Sequence, residues 1–481
     1  MKQEPLFDLV NSLTMSEKRF FKIFSKRHII GEKNEYSLLF DYIDKETDLS
    51  NEKLLNQPFV KNVSAEKNYL YRLILKSLNS FHCQNSDIRK IYDNLISIDI
   101  LFKKGLYSQA LEIVYKAHKL AKKNELLRQE LLLTEIKEEL LLKDQQYLQT
   151  LEIFKEDDQL IHLIKNLLSM RELTTKGYHE NLSKGVIRND EDLLPFAEIL
   201  KNEIVSDESK ALTARARLHQ ISVQLTYNMV AGNNEQVLEF VNQIIKHYDS
   251  HPHLIDYTPI GYVSSNFIKG SALLASNKMK EVKMLIKKYS KIEEIDSVQK
   301  SQKALSSLFF YKNILLLQVD QSVDLEEMEK GIPKHEPFIG KPQLYDLYFH
   351  MSLSFFAQED FKKALKWSNE ILNDLQFKSR EDFLNTIKLM NLLIHFELGN
   401  DFTLEYLSKS TNNFLKRKSR LFKVEKLLIK FFSRYESYAA NGHSKAELEK
   451  LAEKLTLCKE DKYERKAFHY FDYLKWVTQK I

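Results

Sequence analysis

Glycine and proline are scarce in this chain, 11 and 8 among 481 residues. Together they make about 4 % of it, against roughly 12 % in an ordinary globular protein. Tight β-connections and dinucleotide-binding folds draw on those two residues, so the scarcity argues against an all-β or Rossmann-type architecture. No two glycines lie closer than eight positions, the nearest pair being Gly177 and Gly185. A loop that cradles phosphate needs closely spaced glycines so that backbone amides can approach the ligand. Walker-type, dinucleotide-type and kinase-type loops are therefore excluded in their usual form, and a GxSxG nucleophile elbow is impossible. Neither His-Glu-x-x-His nor Glu-x-x-His occurs, which removes common helical zinc and di-iron sites. These absences lead to the expectation of a non-enzyme without cofactor or metal. Cysteine is nearly absent as well: Cys83 and Cys458 stand 375 positions apart, which suits a reducing cytoplasm. The first twenty residues have no apolar core or small-residue cleavage site, so no signal peptide is expected. The richest apolar stretch, Leu305 to Val319, is interrupted by Tyr311, Lys312 and Asn313 and falls short of a membrane span.

What is present is balanced charge and helical periodicity. Lys and Arg number 72 and Asp and Glu 67, a net +5, so no global field demands a polyanionic partner. Hydrophobic residues make 43 %, enough for a large core rather than a disordered chain. In residues 104–121, Tyr107, Ala110, Leu111, Val114, Ala117 and Leu120 recur at steps of three and four, with Lys, Glu and Gln opposite. Capping boxes are predicted at Thr14 with Glu17, Ser379 with Asp382, and Ser444 with Glu447. No long run alternates with period two, and the predicted fold class is all-α.

The helices repeat. Five sites share one grammar, a short turn followed by an aromatic or apolar residue and then a small or β-branched one. They are Gly105-Leu-Tyr107-x-x-Ala110, Gly232-Asn-Asn-x-x-Val237, Asn277-Lys-Met279-x-x-Val282, Glu359-Asp-Phe361-x-x-Ala364 and Gly399-Asn-Asp-Phe402. A fainter sixth begins at Asp144, with Tyr147 after it. The spacings fit one period of about 40–44 residues if two further turns lie near 188 and 320, where Asn189-Asp190 and Asp320-Gln321 occur. Small residues at Ala110, Ala117 and Ala364 let paired helices approach closely, and the aromatic fills the gap at the turn.

The stretch Gly105-Leu-Tyr107-Ser-Gln-Ala110-Leu111 followed by Ala117 resembles the second half of a tetratricopeptide repeat. So does Asp360-Phe361-Lys-Lys-Ala364-Leu365 followed by Ile371, preceded by a helix from Tyr348 to Phe356. The resemblance covers residues 89–440. It departs from the family in its longer period and in lacking most of the usual Trp and closing Pro. It implies a right-handed superhelical solenoid of antiparallel helix pairs whose concave face binds a protein or peptide partner. The flanks differ: residues 1–88, with breaks at Gly31, Leu49-Ser50 and Pro58, read as an N-terminal helical cap or small domain. Residues 441–481, closing in the aromatic stretch Phe468 to Trp476, read as C-terminal capping helices, which a solenoid needs to cover its end. Each of the Pro-bearing interruptions at 248–261 and 331–342 is expected as a hinge or as a loop reaching the binding surface.

Candidate sites are few. His247, Asp249, His251 and His253 form the best metal-like cluster, but Pro252 disfavours helix before it, and a polar loop is the plainer reading. Glu135, Glu138 and Glu139 beside Lys137 and Lys143 read as a solvated helix face. Cys83 beside His82 does not face it on a helix. From Phe414 to Arg434 a single basic helix is predicted. On it Lys416, Arg420, Lys423, Lys430 and Arg434 fall within about 80° of arc, making the expected partner-binding residues. Residues 409–434 hold nine basic side chains and one acidic one, Glu425. Such a stripe can meet an acidic protein, a nucleic-acid backbone or anionic lipid. A second basic patch, Lys18, Arg19, Lys22, Lys26 and Arg27, precedes further helices, and the aromatics Phe20, Phe21, Tyr69 and Tyr71 read as core. The expected function is a protein–protein interaction scaffold, with nucleic-acid-associated regulation through the basic helix or the N-terminal helices as the alternative.

Overall fold

Helical periodicity along the chain is realised as helices. The computed structural model describes residues 5–26, 35–46, 51–82, 87–319, 323–374 and 381–481, and every regular element among them is an α-helix or a short 3-10 turn. The fold is all-α. The expected breaks at Gly31 and Leu49-Ser50, the turn at Asp320-Gln321, the Ser379 cap, Cys83 and Arg27 lie outside the described residues.

Two compact units divide the chain, Met1–His162 and Leu163–Ile481. The first holds α1 (Pro5–Ser12), α2 (Met15–Ser25), α3 (Glu35–Ile43), α4 (Asn51–Leu55), α5 (Val63–His82), α6 (Asp87–Lys103), α7 (Tyr107–Lys123) and α8 (Leu127–Lys143). Helix α9 (Tyr147–Lys184) begins in the first unit and ends in the second. The second continues with α10 (Leu194–Leu200), α11 (Glu203–Ser206), α12 (Ala214–Ala231), α13 (Asn234–Ser250), α14 (His253–Tyr257), α15 (Pro259–Ala275), α16 (Met279–Glu293), α17 (Asp296–Gln299) and α18 (Gln302–Val319). It closes with α19 (Leu325–His335), α20 (Lys341–Ala357), α21 (Phe361–Leu372), α22 (Glu381–Glu397), α23 (Asp401–Arg417), α24 (Lys423–Phe432), α25 (Tyr435–Ala440), α26 (Ser444–Glu460) and α27 (Tyr473–Thr478). The sequence boundaries at 88 and 440 follow the repeat pattern rather than compactness. Within the first unit, α1–α5 bury an apolar cluster around Phe21, Phe40, Leu70 and Ile74, and α6–α8 bury another around Ile98, Val114, Ala117 and Leu140.

The recurring turns have one physical form. Gly105, Glu125, Gln145, Gly232, Asn277, Glu359, Gly399, Ser419 and Gly442 all take positive φ. After each, the next amide closes onto a carbonyl five residues back, as Leu106 N to Leu101 O, Asn233 N to Asn228 O and Asp360 N to Phe355 O. This Schellman closure satisfies the last carbonyls of one helix and aims the chain into the next. The turns read from sequence at 105, 232, 277, 359 and 399 are among them, and the faint one at 144 is realised at Gln145. Near 188, Gly185 with φ 61° opens a non-helical segment through Asp190. Four of the nine turn residues are glycine. At the others a Cβ strains the left-handed backbone. Glu359 is exposed, with φ 63°. Glu359→Gly is therefore expected to raise unfolding free energy by about 0.5–1 kcal/mol, since relief of strain exceeds the added freedom of the unfolded chain. Urea denaturation showing no gain would refute this.

The aromatic after the turn packs on the aromatic before it. Tyr107 meets Phe102 edge-on at 5.6 Å between ring centroids, and Phe361 meets Phe356 at 5.3 Å. Ala110, Ala117 and Ala364 are fully buried. In the second unit the helices of a pair pack on each other, as α12 with α13, α15 with α16, α20 with α21 and α22 with α23, and the first helices of successive pairs also touch: α15 with α18, α18 with α20, α20 with α22. A first helix is covered on both sides and is apolar almost all round; α18 buries Leu308, Phe310, Ile314, Leu315 and Leu317. A second helix such as α16 buries only one stripe, Val282, Leu285, Tyr289 and Ile292, with lysines opposite. Thr14 and Glu17 form the predicted capping box. The box expected at Ser444 does not form: Ser444 is already helical, His443 is the cap residue, and Glu447 pairs with Lys450 at 2.7 Å instead.

Candidate partner-binding groove

The predicted single basic helix is broken. Helix α23 stops at Arg417, Ser419 takes φ 54°, and α24 starts at Lys423. The five predicted residues therefore do not share one stripe. Lys416 is exposed on the last turn of α23, where positive charge suits the helix C-terminus. Arg420 lies in the connection and is sequestered, its Nη1 donating to Asp192 Oδ2 at 2.8 Å. Lys423 and Lys430 are exposed on α24, and Arg434 is exposed just beyond it. Lys426, not singled out in the sequence, joins them at steps of three and four, while Val424, Leu428, Phe431 and Phe432 fill the buried face.

The lone acidic residue of that stretch, Glu425, is buried, and its partner is remote. Arg188 donates to both Glu425 oxygens, at 2.8 and 3.4 Å, and to Glu464 Oε2 at 2.8 Å. Its guanidinium also lies over the Phe422 ring, 4.5 Å from the centroid. Glu464 in turn accepts from the amides of Lys423 and Val424 at 3.0 and 3.1 Å, so it caps α24, whose own cap residue Phe422 has no acceptor. Burial pushes the Glu425 carboxyl above its ordinary range, against the opposing pull of Arg188. Asp190, close by, takes Lys462 at 3.3 Å and the Tyr463 hydroxyl. A cavity of about 40 Å³ beside this clasp is bordered by Lys184, Arg188, Asp382, Asn385 and Arg420. The clasp ties residues 184–192 to residues 420–464. It holds the C-terminal segment in place across the second unit.

That segment forms one wall of a groove of about 720 Å³. Helix α15 contributes Phe267, Ser271 and Leu274 at steps of four and three, and α20 contributes Asp346, His350 and Ser354 at steps of four. Leu317 and Gln318 of α18 lie between them, and His469 and Tyr470 close the side. Each wall is fixed from behind. Phe267 stacks on buried Tyr311 at 4.3 Å and 10°, and Gln343 Nε2 donates to the Tyr311 hydroxyl at 2.6 Å. Gly270 lets α15 and α18 close up: a Cβ there would meet Leu315 Cδ1 at 2.6 Å. Tyr470 donates to Asp382 Oδ2 at 2.6 Å, and its ring meets Phe349 edge-on at 5.4 Å. Asp346 and His350 lie 3.6 Å apart, one turn from each other on the groove wall.

The other sequence candidates do not assemble into chemistry. His247 Nε2 is engaged by the Ala214 carbonyl at 2.8 Å and His251 Nδ1 by the His247 carbonyl at 3.0 Å. Among the described residues no His, Cys, Asp or Glu group has metal-holding geometry. Glu135 and Glu139 are exposed, Glu138 is half-buried, and Lys137 pairs with Glu156 at 3.1 Å. Burial raises the Asp157 carboxyl nearby, helped by Glu138 and Glu135. His118, Glu130 and Thr134 meet inside the first unit, but both partners approach the same ring nitrogen, at 4.0 and 3.4 Å. A relay needs the acid on the opposite nitrogen. Burial also raises the Cys458 thiol, which disfavours a thiolate. At the N-terminus, Lys18 pairs with Asp44, and Lys22 with Asp41 at 2.7 Å. Phe21 is core as expected, Phe20 and Tyr71 are half-buried, and Tyr69 is 44 % exposed and lies against Tyr36. No helix among the described residues is long and apolar enough to cross a membrane.

Sequence reading missed the clasp and the groove. Glu425 carried a signal, as one acid among nine bases, while Arg188 and Glu464 carried none. No protein-family model matches the chain, and no curated protein matches it.

Proposed function

We propose that this chain is a non-enzymatic, tetratricopeptide-like interaction protein of the cytoplasm that receives a segment of another protein in the groove between α15 and α20. The observation that carries the reading is that groove. Most of its lining comes from α12, α15, α18, α20 and α22, the first helices of successive pairs and the side that a tetratricopeptide superhelix turns inward, with the starts of α13, α16 and α19 at its edge, and its size suits a bound side-chain cluster. Its walls are preorganised by buried contacts, so little ordering cost attends binding.

The test is affinity capture from native lysate with the tagged full chain, with and without nuclease, beside a Ser271→Arg variant that fills the groove from the α15 side. A set of proteins that survives nuclease and is lost with Ser271→Arg is expected. Capture unaffected by Ser271→Arg would sink the groove reading. A second reading, association with nucleic acid, rests on the outward Lys423, Lys426 and Lys430 of α24, none of which makes an ion pair among the described residues. Material lost on nuclease treatment, with retention falling steeply with salt, would favour it.

A further inference from the structure

We propose that two copies of this chain pair through the exposed apolar face at the start of α9, with the two helices antiparallel about a two-fold axis at Leu151. The face lies wholly in the first unit and includes no residue of the groove. Tyr147, Leu148, Leu151 and Phe154 fall within about 120° of arc on the first turns of the helix. Each is between 54 % and 84 % exposed. Thr150 and Ile153 point the other way and are buried, so the inner face of this helix has its core and the outer face has none. With a whole aromatic side chain covering about 150–250 Å², the four together leave roughly 500 Å² of apolar surface bare, the upper range for a patch on a monomer. With its polar margin such a face reaches the ~800 Å² per partner that a specific interface buries.

A second copy is the occupant whose charges fit. Glu152 and Lys155 are exposed on one edge of the face, and neither makes an ion pair among the described residues. In an antiparallel pair centred on Leu151, Phe154 comes level with the second copy's Tyr147, and Leu148 with the stem of its Lys155. Glu152 and Lys155 of both copies then share one edge of the seam, so each ammonium reaches the other copy's carboxylate, twice per dimer. Asp158, in line with the stripe, falls opposite the start of the second copy's α9, where first-turn amides and Lys143 favour an anion. The other acids lie off the seam: Glu156 is held by Lys137 at 3.1 Å, and Asp157 lies near Glu138 and Glu135 of α8. A partner carrying one sign of charge would set either Glu152 or Lys155 against its like.

The experiment is sedimentation equilibrium of the full purified chain at concentrations up to about 50 µM, beside Leu151→Glu, Glu152→Lys, Lys155→Glu and the double variant Glu152→Lys with Lys155→Glu. All three positions are exposed, so the variants are expected to fold, and circular dichroism checks that helix content is unchanged. The wild-type protein should sediment at twice the chain mass. Leu151→Glu places two like charges on the axis and should weaken the dimer at least about 100-fold, leaving a single chain. Either single charge reversal should weaken it about fivefold, and the double reversal should return it to within about twofold of wild type, because the pairs re-form with their signs exchanged. A wild-type protein of single-chain mass at the highest concentration, or a dimer that Leu151→Glu leaves intact, would overturn the pairing. A double reversal no tighter than the singles would overturn its antiparallel register.

Discussion

Replacing Arg188 with alanine is expected to lower the unfolding free energy by about 3–5 kcal/mol, the usual cost of removing one partner from a buried ion cluster. The reason is what stays behind. Glu425 and Glu464 are both buried, at 6 % and 8 % exposure, and would face each other without the guanidinium between them. Phe422 would lose the cation over its ring as well. Arg188→Lys should recover little, because one ammonium cannot serve two carboxylates and an aromatic face in the planar fork that Arg supplies. The pair Arg188→Met with Glu425→Gln should recover a larger share, since it removes a buried charge along with its partner. Glu464→Gln should remain costly even then. Its two oxygens accept from Lys423 and Val424, and an amide turns an NH2 toward one of those donors. Urea denaturation of the four variants measures all of this. A loss below about 1 kcal/mol for Arg188→Ala would mean that the clasp is a surface-like pair of little weight.

The same cluster shows where sequence reading stops. Helices and their turns are local, so Gly105, Gly232 and Gly399 announce themselves by residue type and the intervening period follows by counting. Where the left-handed position holds Glu125 or Ser419, residue type gives no sign, and Ser419 is where a single basic helix was expected. Its break is decided by the helix-ending closure of Arg420 N onto Leu415 O. The clasp joins residues 188 and 464, and no periodicity reaches across that separation. The groove is less legible still. Phe267, Asp346 and His350 are ordinary residues on two helices, and they line one groove only because α18 holds those helices side by side. Pairing of α15 with α18 depends on Gly270, which in the sequence is an isolated glycine within a helical pattern.

Acidification from pH 7 to pH 5 is expected to destabilise the second unit by about 2 kcal/mol through His219 alone, and by about 3 kcal/mol at pH 4. His219 lies on α12. Burial pushes its imidazole down to about 4, and the positive charges of Arg215 and Arg171 act in the same direction. In the unfolded chain the ring returns to its ordinary value near 6.5. Between about 6.5 and 4 the unfolded state therefore binds a proton that the folded state refuses, so stability is full above that window and falls as pH drops through it. His118, His335 and His395, each lowered by burial, add to the loss with the same sign. The carboxylates held low, such as Asp87 and Asp472, lose their contribution only at more acidic pH. His219→Gln keeps a polar side chain of similar reach and cannot titrate. The variant should lose about 2 kcal/mol less than the wild type between pH 7 and pH 5 in paired urea denaturations. Equal losses in the two proteins would show that His219 reaches solvent and keeps its ordinary affinity for the proton.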